Sequence, residues 1–464
     1  MNAAGAPSMG SGLAHPAEVA EEALATADGP CVAIVEESHA ADVRYANNTI
    51  TTDGVRLARR VTVVRVFGDG AETSAGVASR TGDVDVAALV AEAEGDAAPA
   101  DDAYALVQGD ADGSFAEDPA ATTIERLSNV IDGLSPAFAR AARDRTVLSG
   151  YAEHRVETIY LASSTGLRRR HVQPTGALQL VGRRDGASSW AGAGTADFAE
   201  LALDELEARV LQGLRWESRH VDVPASRHEV VLPPSAVADL MMFLLDAMGG
   251  REAEEGRTVF SKAGGGTRAG EQLTSLPFEL WSDPGATGIE CAPFLVTSAS
   301  SADVSVFDNG MALARTEWLR SGRLERLTYH RAGADRSGVV PAAPIDNLLL
   351  ELPDASGSVD DLVARTERGL LLTCLWYIRP VDPKTLLLTG LTRDGVYVVE
   401  DGQVVGAANN FRFNESPVDL LARATEAGAM VRTLGREGGS WLNRTAMPAL
   451  RVPDFNMSTV SKAV

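Results

Sequence analysis

The sequence predicts an α+β protein in which an N-terminal and a middle α/β unit precede a β-rich C-terminal domain. Three observations predict it. Helical spacing of apolar residues alternates with strand-like runs through the first half. Beyond about residue 225 the chain turns to short strands broken by Gly, Asp and Asn, and no internal repeat of solenoid period runs through it. With 464 residues and 45% hydrophobic content, a chain at about 100–200 residues per domain holds two to four units with sizeable cores.

The elements follow in order. Val19, Ala20, Ala23, Leu24 and Ala27 share one face of a helix that Pro16 opens and Asp28-Gly29-Pro30 stops. Three strands are expected at 31–36, 42–51 and 57–67, parted by turns at Asn47-Asn48 and Asp53-Gly54. A helix at 84–93 completes a first unit, residues 1–94. Residues 95–123 are rich in Asp, Ala, Pro and Gly and read as an acidic linker or long surface loop. The middle unit, 124–225, holds a helix at 124–142 with possible breaks at Gly133 and Pro136. Strands at 157–162 and 177–182 and a helix at 196–214 complete it. Pro224 opens the C-terminal domain, 226–464. Its strand at 229–232 leads into a helix at 234–248. A capping-box pattern stands at Ser358 and Asp361, and Asp401-Gly402 is a hairpin turn.

Charge narrows the function. Lys+Arg number 42 against 64 Asp+Glu, a formal net charge of -22, which repels a phosphate backbone or an anionic membrane. Aromatic residues at 5% offer little for base stacking. The positive charge is almost all arginine, since Lys262, Lys384 and Lys462 are the only lysines. Cys31, Cys291 and Cys374 are far apart, which excludes a disulfide framework or a cysteine-rich zinc module. Met1 to Ala14 has neither the basic start nor the apolar core of a secretory signal. No apolar run approaches the ~20 residues that span a bilayer. A cytoplasmic protein without nucleic-acid or membrane partners is expected.

Motifs for chemistry are sparse. No two of the seven histidines stand four apart as on a metal-binding helix face. His228-Glu229 begins like a zincin signature but meets Leu232 where the second histidine belongs. There is no GxSxG elbow, and Cys374 lies in an apolar segment that reads as core. Gly264-Gly265-Gly266 superficially matches a dinucleotide loop but runs on through Gly270 toward a strand rather than a helix. The one compact basic run, Arg168-Arg169-Arg170-His171, reads as a solvated strand edge. Asp308, before Asn309-Gly310, is either a functional carboxylate or a turn aspartate. The residues by themselves thus designate no catalytic, cofactor-binding or metal site.

Several segments in fixed order resemble the TldD/PmbA family. They include Val304 to Ala312 with Arg315 to Leu319 and Gly322-Arg323-Leu324, then Phe260-Ser261, Gly270-Glu271 and Leu280 to Pro284. Ser163 to Leu167, Ser358 to Gly369 and Gly395 to Gly402 also agree. The resemblance covers about residues 30 to 455. The family departs from this chain where an acid usually stands near Asn309, and Ser282 occupies the first position of an Asp-Asp-Pro.

In the TldD subunit of that family a strand and a proline precede HExxxH on a helix, and a late cysteine adds a ligand. Val230-Val231-Leu232-Pro233-Pro234 resembles that strand and proline, which places Met242 and Ala247 at the two histidines and Phe243 at the glutamate. Leu434-Gly435-Arg436-Glu437-Gly438 is similar to the family's Cys-Gly-Lys-x-Gly, with Leu434 at the cysteine. The resemblance therefore implies a TldE (PmbA) type subunit that holds no cofactor itself. It implies as partners a TldD-like HExxxH subunit carrying the zinc and unfolded or extended peptides, held by strand addition. Whether the chain is itself an enzyme stays open. The alternatives are a self-sufficient hydrolase using Asp308 or Cys374, and a non-enzymatic, peptide-binding homodimer.

Overall fold

The computed structural model describes residues 13–461. The reading of the N-terminus for a secretory signal rests almost wholly on residues 1–12, which lie outside the described residues. No helix among the described residues is long and apolar enough to cross a membrane.

Helix α1 (Pro16–Thr26) starts at Pro16, with the His15 side chain accepting the Ala17 N–H. Strands β1 (Cys31–Ala46) and β2 (Thr49–Phe67) form one long hairpin. Its turn residues Asn47 and Asn48 have φ of 52° and 57°, the left-handed conformation that two-residue hairpin loops require and Asn tolerates. The sequence suggests three strands here, and the structure has two. Asp53-Gly54 is not a turn, because Val43 and Asp42 of β1 lie opposite it and hold it in the ladder.

Strand β3 (Ser74–Thr81), helix α2 (Val86–Gly95) and the short β4 (Ala98–Pro99) follow. A single 3-10 turn at Ile124–Leu127 leads into α3 (Ser128–Arg143), which accommodates Pro136 without ending. Then come β5 (Val147–Ser163), β6 (Arg168–Arg184) and β7 (Ala187–Thr195), and finally α4 (Leu203–Trp216). The last helix starts later than its apolar spacing suggests, because a 3-10 turn at Phe198–Glu200 takes up the first residues.

These strands make one antiparallel sheet in the order β4-β3-β2-β1-β5-β6-β7. The stretches 1–94 and 124–225, which look like separate units in the sequence, are joined in it by β1 pairing with β5 from Val32↔Ser163 to Tyr45↔Gly150. Periodicity reports which face of a strand is buried and is silent on a neighbour more than a hundred residues away. Helices α1 and α2 pack on one face around Ala20, Ala23, Leu89 and Val90. Helices α3 and α4 pack on the same face, further along the long strands, around Leu134, Leu178, Val210 and Leu214, while the opposite face, with Val32, Ile34 and Leu161, packs against Phe294 and Phe307 of the C-terminal half. Between the two stretches the chain runs across the surface, anchored by the buried Leu106 and Phe115.

The C-terminal half is β-rich. A ten-stranded sheet runs through Arg227–Leu232, which lies between the antiparallel Leu450–Val460 and the parallel Arg368–Leu372. A six-stranded sheet is built around Glu279–Ser282 and Leu348–Glu351. The hairpin Val396–Glu400 and Gln403–Ala408 turns at Asp401-Gly402, and the Ser358/Asp361 capping box is formed. Helix α5 (Pro234–Asp246) leaves the end of Arg227–Leu232 and enters the largest apolar core. Each fully buried Leu or Val there stabilises the fold by roughly 1.5–3 kcal/mol.

Candidate functional site

Helix α5 is aimed by its sequence. Val230, Val231 and Leu232 form a buried strand, Pro233 is extended, and Pro234 starts the helix where no N–H is needed. Val237, Leu240, Met241 and Leu244 are buried, and Met242, Phe243 and Ala247 pack against the same core at its edge.

One buried polar side chain interrupts this helix. Asp239 is completely buried, and its carboxylate accepts the backbone N–H groups of Arg436 at 3.0 Å, Glu437 at 2.9 Å and Gly438 at 2.8 Å. The loop 434–441 is thereby fixed onto the helix. Two glycines permit the approach: a Cβ on Gly435 would lie 2.5 Å from Asp239 Oδ1, and one on Gly438 would lie 2.7 Å from Met242 Sδ. Burial pushes the Asp239 carboxyl up to about 7, against the pull of the three N–H donors. Leu434, at the start of the loop, is fully buried.

The loop also ties α5 to the N-terminal sheet. The Arg436 guanidinium lies 4.7 Å from the Trp376 ring centroid and 5.4 Å from that of Trp190, within cation–π range. Its Nη1 donates to Gln179 Oε1 at 2.9 Å; Trp190 Nε1 donates to the same oxygen, and Gln179 Nε2 donates to Tyr151 OH. Glu437 accepts from the Tyr377 N–H and from Arg379. Tyr377 and Trp441 stand exposed beside it. A small cavity of about 60 Å³ lies nearby, between β6–β7 and the segments around Arg432 and Arg444.

Of the other candidate residues, Cys374 lies within electrostatic reach of Asp239 and Arg436, and Asp308 is engaged elsewhere. Asp308 is buried, with Oδ1 accepting from Arg331 Nε at 2.6 Å and Oδ2 from the Arg331 N–H at 2.9 Å. Cys374 is buried and its thiol is pushed well above the usual range, chiefly by burial. Burial likewise raises Cys31 to about 11 and Cys291 to about 12. Thiols so raised are poor nucleophiles. His154 bonds to Thr122, and His330 caps a helix by accepting the Gly333 N–H. His228 contacts Ser226 and the Pro224 carbonyl. Gly264, Gly265 and Gly266 lie in a tight loop closed by Ser261 and Thr267, and no helix follows. Arg168 and Arg170 pair with Glu21 and Glu117, and Arg169 bonds to the Asp110 carbonyl.

Residues 225–459 match the family model described as the PmbA/TldA metallopeptidase C-terminal domain. The chain belongs to the TldD/PmbA family. Its fold is similar to that of TldE from Thermococcus kodakarensis, with a TM-score of 0.75 at 16% identity, covering 95% of this chain and 98% of that one. It is also similar to a Thermotoga maritima protein named as a candidate modulator of a DNA gyrase, with a TM-score of 0.72 at 16% identity, covering 95% and 99%. No curated protein matches the chain by sequence.

Within this TldD/PmbA chain the positions that the sequence assigns to the metal site lie together. Met242 touches the 434–441 loop at Gly438, and Phe243, Ala247 and Leu434 are packed side chains around the same helix and loop. They do not fit zinc. Zinc takes thiolate, imidazole or carboxylate donors, and this set offers only a thioether. Asp239, Gln179 and Trp190 were not singled out by the sequence, and Arg436 stood there only as part of the 434–438 segment. The one local signal was an acid in an otherwise apolar helix; the other partners are up to 257 residues apart.

Proposed function

We propose that this chain is the metal-free, TldE-type subunit of a two-subunit TldD/TldE zinc metallopeptidase of the cytoplasm that degrades or processes unfolded or extended peptides. The observation that carries the reading is the replacement of the ligand and general-base positions by Met242, Phe243, Ala247 and Leu434, side chains built into packing. Asp239 supports it, since the loop that would bring the late ligand is held by a carboxylate and three backbone N–H groups and needs no metal to stay in place. The partner, a paralogous HExxxH subunit, would supply the zinc and the hydrolysis.

The test has two arms. Purified alone, the chain should contain no stoichiometric zinc and leave unfolded peptides uncut; mixed with an HExxxH relative from the same source, it should form a stable complex that cleaves them and is stopped by chelator. Tightly held zinc in the isolated chain, or cleavage by it that chelator leaves untouched, would refute the assignment.

A further inference from the structure

The electrostatics hold a feature that the peptidase reading does not use. In a chain of net charge -22, Arg145, Arg183, Arg184 and Arg393 line one open groove of about 380 Å³, with Val147 in its wall and Asp185 as its only acid. The arginines come from three places. Arg145 follows α3 in a left-handed turn at φ 52°. Arg183 and Arg184 end β6, just before the tight hairpin turn at Asp185-Gly186, whose φ values are 51° and 87°. Arg393 comes from the C-terminal half, in the loop before Val396–Glu400. The groove therefore straddles the N-terminal sheet and the β-rich half.

Among the described residues, two of these cations, Arg183 and Arg184, meet no carboxylate, and the other two meet one only at long range. Arg145 reaches Asp185 only at 3.8 Å, with both side chains largely exposed. Arg184 donates to the Leu214 carbonyl, a neutral acceptor. Arg393 Nε makes no hydrogen bond and lies 3.5 Å from Asp394 Oδ2, a long ion pair, while the Ser188 hydroxyl donates to the other oxygen, Oδ1, at 2.6 Å. Arg168 and Arg170 show the contrast, since each meets a glutamate. Guanidinium forks in a recess match the oxygens of phosphate and carboxylate, and several together favour the higher charge of a phosphoryl group.

We propose that this groove is a binding site for the phosphoryl groups of a small phosphorylated molecule, bridging the two halves of the chain. Pyrophosphate and inorganic phosphate are the probes. Isothermal titration of the full-length chain at low salt should give saturable pyrophosphate binding, tighter than that of inorganic phosphate and absent with chloride at matched ionic strength. Arg145 and Arg183 have exposed side chains at the groove rim, so R145Q/R183Q should fold with unchanged Tm and weaken pyrophosphate at least tenfold. R393Q supplies an independent arm from the other half and should weaken it too. Absence of saturable binding at millimolar pyrophosphate, or binding that R145Q/R183Q leaves unchanged, would overturn the proposal. So would a single-stranded oligonucleotide bound through the same arginines more tightly than pyrophosphate. None of these readouts depends on zinc or on a partner subunit, so they stand apart from the peptidase tests.

Discussion

The loop 434–441 is held to α5 by a carboxylate that meets only backbone N–H groups, whereas the segment around Ala105 is held to the C-terminal half through a carboxylate that meets a guanidinium. Asp239 and Asp308 are equally buried. Around Asp239 three neutral donors converge and burial still raises the carboxyl to about 7. Around Asp308 a full positive charge is present: Arg331 binds it through Nε while Nη2 reaches the carbonyls of Phe307 and Ala105, and the guanidinium lies 4.7 Å from the Tyr104 ring centroid. The first arrangement locks a loop where its family relatives are expected to place a ligand. The second clamps the crossing segment that links the two parts of the N-terminal sheet.

The comparison breaks most sharply at Asp308. Asp308→Ala leaves Arg331 with no carboxylate, and breaking a buried pair from one side costs about 3–5 kcal/mol; with Arg331 19% exposed, the lower end is expected, read by denaturant unfolding. A cost under 1 kcal/mol would mean that the carbonyls alone satisfy Arg331. Asp239→Ala should cost somewhat less, about 2–3 kcal/mol, because it strands neutral N–H groups, each costing about 1–3 kcal/mol when fully buried, and water can reach part of the loop. Its signature should be local, with faster amide exchange at Arg436, Glu437 and Gly438.

The two sites also differ in what the sequence made legible. The α+β class, the β-rich C-terminal half, the helix after Pro233 and the Asp401-Gly402 turn all rest on local patterns, and local patterns are what a single sequence displays. Asp308 stood out because Asn309-Gly310 follows it, but its partner lies 23 residues on and nothing near it announces an ion pair. Asp239 lay inside a helix already singled out, yet its partners lie 197 to 199 residues away and are backbone groups, which no side-chain motif records. The basic run 168–170 was conspicuous and is neutralised. The arginine groove was invisible because three segments assemble it.

Titration probes the Asp239 side of the comparison further. The Asp239 carboxyl is raised from about 3.9 in the unfolded chain to about 7 in the fold. Between those values the folded protein holds a proton that the unfolded chain has lost, so stability is full below about pH 4 and declines as pH rises toward 7. Asp239→Asn cannot titrate and should flatten that part of the stability profile. A wild-type profile that rises with pH through the carboxylate range and is flat in the variant would show that the three N–H donors outweigh burial.

The mildest change asks whether charge or geometry holds the clamp. Arg331→Lys keeps a cation beside Asp308, so neither member of the pair is orphaned, but an ammonium on a flexible stem cannot serve the carboxylate and two carbonyls at once. The bond to Asp308 should survive and the one to Ala105 should go, together with stacking on Tyr104. A global cost of about 1 kcal/mol is expected, the size of one or two net hydrogen bonds. Amide exchange should quicken around residues 103–107 while the Asp239 loop stays protected. If the lysine variant instead lost as much as Asp308→Ala, the fork rather than the charge would be what holds the segment. Asp308 would then act as a positioning group for the guanidinium more than as its counter-ion.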